Sequence, residues 1–303
     1  MNVLITGGAG FIGTYVRDLF HKEGHTLYIL DNLSTGNEMN INQEDVFLKG
    51  DLLDRHSLKM LEPYQIDIII HLAAQISVPL SVENPIEDMK VNIEGTLNLL
   101  EFAKNNGVKK FIFASSAAVY GNTVNVPIRE EQELNPDSPY GISKMAGEHY
   151  VKTLCQENMI DYVILRFANV FGPKQSEEGE GGVIKIFADQ LTKNESPFIY
   201  GDGDQTRDFI YVEDVARALT YSIAAESGIY NLSTNTETNI NEVFRMISTA
   251  MNLPAVTPKY LPARKGDIYR SSLENQKFID ATGWNPIYTV KNAIEKMIGE
   301  MRE

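Results

Sequence analysis

Two side chains suited to proton transfer, Tyr140 and Lys144, lie four residues apart directly after Ser138-Pro139. That spacing places both on one face of a helix, and the proline places them near its start. A tyrosine hydroxyl has an ordinary pKa of about 10, so keeping it ionised near neutral pH requires roughly 4 kcal/mol of stabilisation. A nearby ammonium in a dry cleft can supply that energy. The two residue types suit an acid–base pair, with an ordinary packed aromatic as the alternative for Tyr140; because Tyr-x-x-x-Lys alone is common by chance, the pair becomes specific only with the glycine-rich segment and the serine-rich end of a strand.

A glycine-rich segment, Gly7-Gly8-Ala9-Gly10-Phe11-Ile12-Gly13, follows a predicted strand and opens a predicted helix that ends near Gly24. In such a loop the first glycine permits a tight turn, the second lets the backbone approach a pyrophosphate, and the third lets the helix pack close to the strand. Asp31 ends the next predicted strand 21 residues after Gly10, where a carboxylate binds a ribose diol and repels a 2′-phosphate. The pattern predicts an NAD site rather than an NADP site, with a purely structural glycine turn as the alternative.

Three further positions suit a dinucleotide groove. Asp51-Leu52 ends the third predicted strand, where an adenine amino group would be met, and Leu72-Ala73-Ala74 ends the fourth with small residues. Asp51 has an alternative role as the cap of a helix that starts near Asp54. Asn92 lies on an amphipathic helix, so it either faces the core with a hydrogen-bond partner or is exposed.

Short apolar runs alternate with helical patterns through the first half of the chain, which is typical of parallel β-α-β units. Several runs are apolar throughout, which indicates a sheet covered by helices on both faces. Asn84-Pro85 predicts the start of a long helix that ends at Asn106. The predicted strands are Asn2 to Thr6, Thr26 to Asp31, Asp45 to Lys49, Asp67 to Leu72, Lys110 to Ser116 and Tyr162 to Phe167.

The composition of the sequence changes after Gly172-Pro173, where a charged, glycine-rich stretch is followed by shorter predicted elements. We therefore expect a dinucleotide-binding domain at 1–172. We expect 173–303 to be mainly a smaller substrate-binding region, with the chain crossing between the two.

The chain of 303 residues carries 27 Lys and Arg against 41 Asp and Glu, a formal net charge of −14. This excludes nucleic-acid binding by a basic surface. The one cysteine, Cys155, has helical apolar neighbours and is predicted to be a buried structural thiol rather than a reactive one. No signal peptide is expected at the N-terminus, and the longest apolar run, Ile66 to Ala74, is too short to span a bilayer. We expect a soluble cytoplasmic protein without membrane partners.

The five histidines show no metal-ligand spacing, so each is predicted to be structural and no metal is expected. They are His21, His25, His56, His71 and His149.

The sequence resembles the extended short-chain dehydrogenase/reductases and, within them, the NAD-dependent nucleotide-sugar epimerase/dehydratase group. Three motifs carry the resemblance: the glycine loop, the Tyr140–Lys144 pair and the segment Ser115-Ser116-Ala117-Ala118-Val119-Tyr120-Gly121. The resemblance spans the chain from the N-terminal glycines to the Arg264 segment. It implies a Rossmann-type α/β fold, a doubly wound parallel sheet with a smaller C-terminal α/β substrate-binding region.

The same resemblance implies roles for individual residues. Tyr140 would be the acid/base, Lys144 would bind the nicotinamide ribose and lower the pKa of the tyrosine, and Ser116 would hydrogen-bond the reacting hydroxyl. The implied cofactor is NAD, and its expected binding residues are Gly7, Gly10, Phe11, Ile12, Asp31, Asn32, Asp51, Leu52, Leu72, Ala73, Ala74, Asn92, Ser115, Tyr140, Lys144 and Phe167.

Later segments resemble the family's substrate-binding motifs. Tyr200 would stack on uracil, Arg207 and Arg264 would hold the diphosphate, and Asp267 would bind the ribose. Guanidinium groups suit phosphate oxygens, although either arginine has the alternative of pairing with an acidic surface neighbour. The expected substrate-binding residues are Ser116, Tyr140, Asn169, Val183, Tyr200, Arg207, Arg264 and Asp267.

The resemblance also indicates the reaction. Dehydratases of the family carry an Asp-Glu pair where this chain has Ala117-Ala118, so elimination of water is disfavoured. Asn169 favours neutral hexoses over uronic acids. The expected reaction is interconversion of UDP-glucose and UDP-galactose through a 4-keto intermediate. The alternatives are another nucleotide-sugar epimerase, reductase or dehydratase of the family, or a non-catalytic NAD-binding regulator.

Two further expectations follow from the resemblance. Ser271 is small where some members have a bulky tyrosine, which favours acceptance of UDP-N-acetylglucosamine and UDP-N-acetylgalactosamine. A homodimer is expected, formed by the helices Pro85 to Asn106 and Tyr140 to Asn158.

Overall fold

The computed structural model describes residues 1–175, 182–263 and 268–301. Seven parallel strands form its largest sheet, in the order β3-β2-β1-β4-β5-β6-β11. Numbered along the chain, the strands are β1 Asn2–Thr6, β2 Thr26–Asp31, β3 Val46–Lys49, β4 Ile68–His71, β5 Lys110–Ser116, β6 Asp161–Phe167, β7 Asn169–Phe171, β8 Phe198–Tyr200, β9 Thr206–Arg207, β10 Phe209–Tyr211, β11 Gly228–Leu232, β12 Thr238–Asn239 and β13 Lys259–Leu261. The Rossmann-type doubly wound sheet predicted from the sequence is confirmed.

Helices cover both faces of this sheet. They are α1 Phe11–Lys22, α2 Arg55–Lys59, α3 Val78–Glu83, α4 Pro85–Met89, α5 Gly95–Asn105, α6 Pro139–Glu157, α7 Val183–Thr192, α8 Val212–Tyr221, α9 Ile240–Ala250, α10 Gln276–Thr282 and α11 Val290–Glu300.

Strand β4 explains why the strands are apolar throughout. Ile68 and Ile70 point into one hydrophobic cluster with Val16 of α1, whereas Ile69 points into another with Leu99 of α5. Alternate side chains of a strand face opposite sides, so a strand buried on both sides must be apolar at every position.

Three of the predicted strands differ from the observed ones by one residue at one or both ends. The third strand begins at Val46 because Asp45 accepts a hydrogen bond from the Asn42 amide and closes a turn. The fourth strand is Ile68–His71, and the sixth begins at Asp161.

The chain returns to the first sheet after position 173. Helix α8 packs against α1, and β11 pairs with β6 at the edge of the seven-stranded sheet. A third hydrophobic cluster, which includes Phe187, Val243 and Ile294, forms a separate core in the C-terminal part. The boundary at 172/173 stays a prediction.

The long helix predicted from Pro85 is interrupted. The Asn84 side chain accepts a hydrogen bond from the Glu87 amide at its start, as predicted, but a π-helical turn at Lys90–Glu94 separates α4 from α5. Such turns often occur at functional sites, and this one contains Asn92.

Cys155 is fully buried on α6, and burial raises the pKa of its thiol to about 12. The prediction of a structural thiol is confirmed. Within residues 1–175, 182–263 and 268–301, no helix combines the length and the hydropathy needed to cross a bilayer. The same ranges contain no group of three or more potential metal ligands.

Candidate active site

The carboxyl ends of the central strands bring the predicted residues to one edge of the sheet. Thr6 at the end of β1 is in register with Leu30 and His71, and Ser116 at the end of β5 is in register with Phe167. Strand order reverses between β1 and β4, which is where ligands bind in open α/β sheets. The glycine loop, Asp31, Leu72, Ser116 and Phe167 therefore border one crevice.

The glycine loop has no space for side chains at two of its positions. Gly7 has a φ of +72°, and a Cβ there would lie 2.7 Å from the Ala73 amide nitrogen. A Cβ on Gly13 would collide with the backbone of Gly7 and lie 2.6 Å from the Gly8 Cα. In this part of the structure no side chain caps the N-terminus of α1. The loop is therefore a close-packed cradle that presents helix N–H groups, as a pyrophosphate site requires.

Asp31 is buried at the end of β2 and links two loops. Its carboxylate accepts hydrogen bonds from the amides of Ala9 at 2.9 Å and Leu33 at 2.8 Å. The carboxylate thus stands beside the glycine loop, where the ribose of a dinucleotide would lie.

Asp51 does not cap the helix that follows it. Asp54 is the cap of α2, because its side chain accepts a hydrogen bond from the His56 amide, so the capping alternative for Asp51 is wrong. The Asp51 carboxylate instead accepts hydrogen bonds from the Asn32 side chain and the Leu53 amide. Leu52 beside it is buried.

Asn92 faces the core, so the exposed alternative is also wrong. Its side chain is 3% exposed and bonds both the amide and the carbonyl of Gln75. It also donates to the Ser143 hydroxyl at 3.0 Å, and that hydroxyl donates to the Tyr140 carbonyl. Asn92 therefore holds the first turn of α6 against the loop that follows β4.

The acid–base pair lies where α6 begins. Ser138 caps this helix by accepting a hydrogen bond from the Gly141 amide, and Pro139 is its first residue. Lys144 is 4% exposed, donates to the Ala114 carbonyl of β5 at 2.9 Å, and lies 6.0 Å from the centre of the Tyr140 ring. The ammonium is therefore held beside the tyrosine in a nearly dry environment.

His71 contributes no charge to this site. Burial, and secondarily the nearby Lys144 ammonium, lowers its pKa to about 3. Thr96 donates its hydroxyl to the Asn92 carbonyl, so it accepts from His71 Nε2, while His71 Nδ1 accepts from Thr6. The neutral ring joins β1, β4 and α5, which agrees with the structural role predicted for it.

Ser116 and Ser115 have different surroundings. The Ser116 hydroxyl is half-buried and accepts a hydrogen bond from the Ala118 amide at the start of a 3₁₀ turn, Ala117–Tyr120. The Ser115 hydroxyl is buried and donates to Glu148 of α6 at 2.5 Å. The proton of the Ser115 hydroxyl is therefore committed to Glu148.

The predicted substrate residues come from separate C-terminal elements. Asn169 begins β7 and its side chain donates to the Asp208 carbonyl, while Val183 begins α7. Tyr200 is in register with Leu261, and Arg207 donates to the Ile268 carbonyl. Tyr200 and Arg207 are therefore placed beside Leu261 and Ile268, respectively. The predicted residues Arg264 and Asp267 lie outside the described residues.

One buried polar cluster near the site was missed from the sequence. Glu148 of α6 and Arg166 of β6 form a two-pronged ion pair, and Arg166 also donates to the Tyr120 hydroxyl. A signal was present, because Glu148 continues the four-residue spacing of Tyr140 and Lys144, and Arg166 interrupts an apolar strand.

A doubly wound sheet with a glycine loop, an acidic residue after β2 and a Tyr–Lys pair on one helix face defines an NAD-dependent enzyme of the short-chain dehydrogenase/reductase class. Residues 3–233 match the profile of the NAD dependent epimerase/dehydratase family, and the chain belongs to that family. The family assignment and the NAD cofactor predicted from the sequence are both confirmed.

Three solved structures are similar over nearly the whole chain. A UDP-glucose 4-epimerase with UDP-glucose from Thermotoga maritima is 37% identical, with a TM-score of 0.96 over 100% of this chain and 99% of that one. A UDP-N-acetylglucosamine 4-epimerase from Methanobrevibacter ruminantium, in complex with UDP-N-acetylmuramic acid, is 37% identical, with a TM-score of 0.94 over 99% and 98%. A UDP-glucose 4-epimerase from Thermus thermophilus in complex with NAD is 37% identical, with a TM-score of 0.93 over 100% and 99%.

Proposed function

We propose that this protein is a UDP-hexose 4-epimerase that interconverts UDP-glucose and UDP-galactose. The observation that carries the proposal is the position of Lys144, which is anchored on the Ala114 carbonyl of β5 beside the Tyr140 ring. That arrangement supplies a base for a sugar hydroxyl at the edge of the sheet where the glycine loop lies. The UDP-glucose bound by the Thermotoga maritima relative supports the substrate.

The residues around the crevice fit NAD. The close-packed glycine loop and the start of α1 would hold the pyrophosphate, Asp31 the adenosine ribose, and Lys144 the nicotinamide ribose. When bound, NAD supplies the hydride acceptor and donor for the sugar C4.

The chain's own residues handle the proton. Tyr140, as a phenolate, removes the proton of the sugar 4-hydroxyl, and Ser116 hydrogen-bonds that oxygen. The Lys144 ammonium stabilises the phenolate by charge attraction in a site that excludes most water. After the 4-keto sugar has turned its other face to the cofactor, Tyr140 returns the proton to the oxygen, and the configuration at C4 is inverted.

Ala117 and Ala118 support epimerisation over dehydration. They occupy the 3₁₀ turn directly after Ser116, next to the reacting hydroxyl in this proposal. Elimination of water needs a second acid there, and a methyl group cannot supply a proton.

We further propose that N-acetylated UDP-hexoses are substrates, because Ser271 is small. The N-acetylglucosamine epimerase among the similar structures supports this extension. We also propose a cytoplasmic location, since the lone cysteine needs no oxidising compartment. We propose a homodimer because the family resemblance implies one.

The test is to incubate the purified protein with UDP-galactose, without added NAD or reductant, and to follow products by chromatography and reduced nicotinamide by absorbance. We expect C4 inversion with no net formation of NADH. A steady accumulation of NADH, or a 4-keto-6-deoxy product, would contradict the proposal in favour of a dehydrogenase or a dehydratase.

The Tyr140→Phe variant removes the base and should lower turnover by at least about 10²-fold while bound NAD is retained. Tyr150→Phe is the matched control, because Tyr150 lies on the same helix but is 42% exposed. Inversion that survives Tyr140→Phe at the wild-type rate would exclude the proposed mechanism. If the wild-type protein binds NAD but inverts C4 of none of the UDP-, dTDP- and GDP-hexoses tested, the alternative of a non-catalytic NAD-binding regulator is favoured.

A further inference from the structure

A buried ion pair lies beneath the proposed acid–base residues. The Glu148 side chain is 2% exposed and the Arg166 side chain 3%, and two hydrogen bonds of 2.9 and 2.7 Å join them. Burial alone would lower the pKa of the Arg166 guanidinium, but the hydrogen bonds and charge of Glu148 raise it instead. The two side chains therefore form an ion pair in which the opposite charges cancel.

The pair connects the elements that carry the proposed catalytic groups. Glu148 follows Lys144 by four residues, as Lys144 follows Tyr140, so the three share one face of α6. The same carboxylate accepts the hydroxyl of Ser115, the neighbour of Ser116 on β5. Arg166 is in register with Ser115 on the adjacent strand. One carboxylate thus ties the helix of the base to the strand of the hydroxyl donor.

Arg166 extends the connection to a third element. It donates to the Tyr120 hydroxyl at 2.8 Å and to the Glu130 carbonyl, and Tyr120 in turn donates to Asn231 of β11. The 3₁₀ turn that begins at Ser116 is therefore held at its far end through Tyr120.

The other titratable groups around α6 do not neutralise either charge of the pair. His71 on β4 is neutral, and burial raises the pKa of Tyr120 to about 12, so its hydroxyl keeps its proton. Burial raises the pKa of Glu130, whose carboxylate accepts from the Asn231 amide. Asp88 on α4 accepts from Gln75 and Asn92.

We propose that Glu148 and Arg166 are positioning residues that hold Ser116 and Lys144 together, and that their opposite charges cancel so that the Lys144 ammonium acts on Tyr140 unopposed. The inference rests on the proposed role of Tyr140 as the proton acceptor. Without Arg166, the Glu148 carboxylate opposes the Lys144 ammonium, and the phenolate loses stabilisation. Without the carboxylate, the Arg166 guanidinium adds to the ammonium, and the phenolate gains stabilisation.

The size of the effect follows from distance. Glu148 lies eight residues beyond Tyr140, which is about 12 Å along a helix axis. At an effective dielectric constant of about 20, one unit charge at that distance moves a pKa by about one unit.

The experiment measures the pKa of Tyr140 directly in the NAD-bound protein, from the ¹³Cζ chemical shift of ¹³C-tyrosine-labelled samples. The signal is assigned by its loss in Tyr140→Phe. We expect Glu148→Gln to lower the pKa by about one unit, Arg166→Met to raise it by about one unit, and the double variant to restore it to within about 0.3 unit. The acidic limb of the pH–rate profile should move in the same directions.

Arg166→Lys is the matched control, because it breaks the two-pronged geometry but keeps the charge. It should lower turnover and leave the pKa of Tyr140 unchanged. Should Arg166→Met fail to fold, Glu148→Gln and the neutral double variant still show the direction in which the pKa of Tyr140 shifts. Arg217→Met removes a distant ion pair with Asp214 and should change neither quantity.

Shifts of the same sign in Glu148→Gln and Arg166→Met, or no shift in either, would overturn the inference and leave the pair a purely structural one. The NMR readout does not depend on turnover. A wild-type protein that inverts no sugar would therefore refute the proposed function alone, while the opposite shifts would still support the charge balance.

Discussion

Two buried tyrosines near the crevice lie in different surroundings. The Tyr120 hydroxyl accepts from Arg166 and donates to Asn231, so its proton is held in place inside the core. Tyr140 has the Lys144 ammonium beside its ring and lies at the open end of α6. The same side chain is a structural link in one environment and a candidate base in the other, because the Tyr120 hydroxyl is bonded inside the core whereas Tyr140 lies at the edge of the sheet where the glycine loop lies.

At Ser271, side-chain size should decide which sugars are accepted. Ser271 is 9% exposed, beside the Ser272-Leu273 segment that contacts Asp208. We expect Ser271→Tyr to raise KM for UDP-N-acetylgalactosamine by about 5- to 150-fold, with little change for UDP-galactose, because overpacking costs about 1–3 kcal/mol. Steady-state kinetics with both sugars test this. Equal exclusion of the acetylated sugar by the wild type and the variant would contradict it.

The Asp208 carboxylate should make stability depend on pH. Burial raises its pKa from 3.8 to about 6, against four hydrogen-bond donors that oppose the shift. A raised pKa means that the folded state binds more protons than the unfolded state, so this group contributes stability below pH 4 and loses it as pH rises through 6. The change is at most about 3 kcal/mol.

Chemical denaturation of the wild type and of Asp208→Asn between pH 4 and 7 measures this effect. The variant cannot titrate at that position. The free energy of unfolding of the wild type, relative to that of the variant, should therefore be highest near pH 4 and fall towards pH 7. An advantage that grows with pH would show that the four donors hold the carboxylate ionised.

At the scale of elements, α1 and the glycine loop after β1 approach so closely that one methyl group is excluded. A Cβ at Gly13 meets the backbone of Gly7 and Gly8, which cannot move without opening the loop. We expect Gly13→Ala to destabilise the fold by about 1–3 kcal/mol or more, and to abolish copurified NAD. Thermal unfolding and nucleotide release measure the two effects.

Gly299→Ala is the matched control, because a Cβ there meets nothing within 4 Å. Alanine is preferred over glycine within a helix, so this variant should be as stable as the wild type or slightly more stable. Retained NAD in Gly13→Ala would contradict the close-packed cradle as the cofactor site.

Helix α6 is held by contacts at several points along its length. Asn92 fixes its first turn through Ser143, Lys144 reaches β5, and Glu148 joins β5 and β6. Its orientation is thus determined by buried hydrogen bonds, which are more directional than apolar packing. That directionality is what a proton-transfer site requires.

At the scale of the whole molecule, three helices that pack together expose apolar side chains. Leu80 and Val82 of α3, Ile86 of α4 and Ile142 of α6 are between 44% and 64% exposed. We call these four residues the apolar patch. Several exposed apolar side chains on helices that pack together are typical of an interface, and a second copy is the occupant that the family resemblance implies.

We expect Ile86→Glu to convert a homodimer into monomers, because a charge buried without a partner destabilises an interface by several kcal/mol. Sedimentation velocity gives the oligomeric state. Ile287→Glu, at a residue that is 59% exposed but lies outside the apolar patch, should leave the dimer intact. A wild-type protein that sediments as a monomer would remove the basis for the homodimer.

Much of the fold could be predicted because its signals are local. Uniformly apolar runs predicted the strands of a covered sheet, and Asn84-Pro85 predicted a helix start, since both patterns act over a few residues. The sequence did not predict β11 as the seventh strand, because Gly228–Leu232 pairs with β6 through contacts far apart in the chain. The π-helical turn at Lys90–Glu94 has no comparable local signal.

The sequence by itself determined the chemical groups of this protein: the glycine loop with Asp31 after it, and Tyr140 with Lys144 on one helix face. These rest on backbone sterics and on helix and strand periodicity, which a short segment specifies alone. Only the tertiary structure decided which partners the buried polar groups have, such as Asn92 with Ser143, 51 residues away, and Tyr120 with Asn231, 111 residues away. A buried donor must find an acceptor, but which acceptor lies in reach depends on how the elements pack.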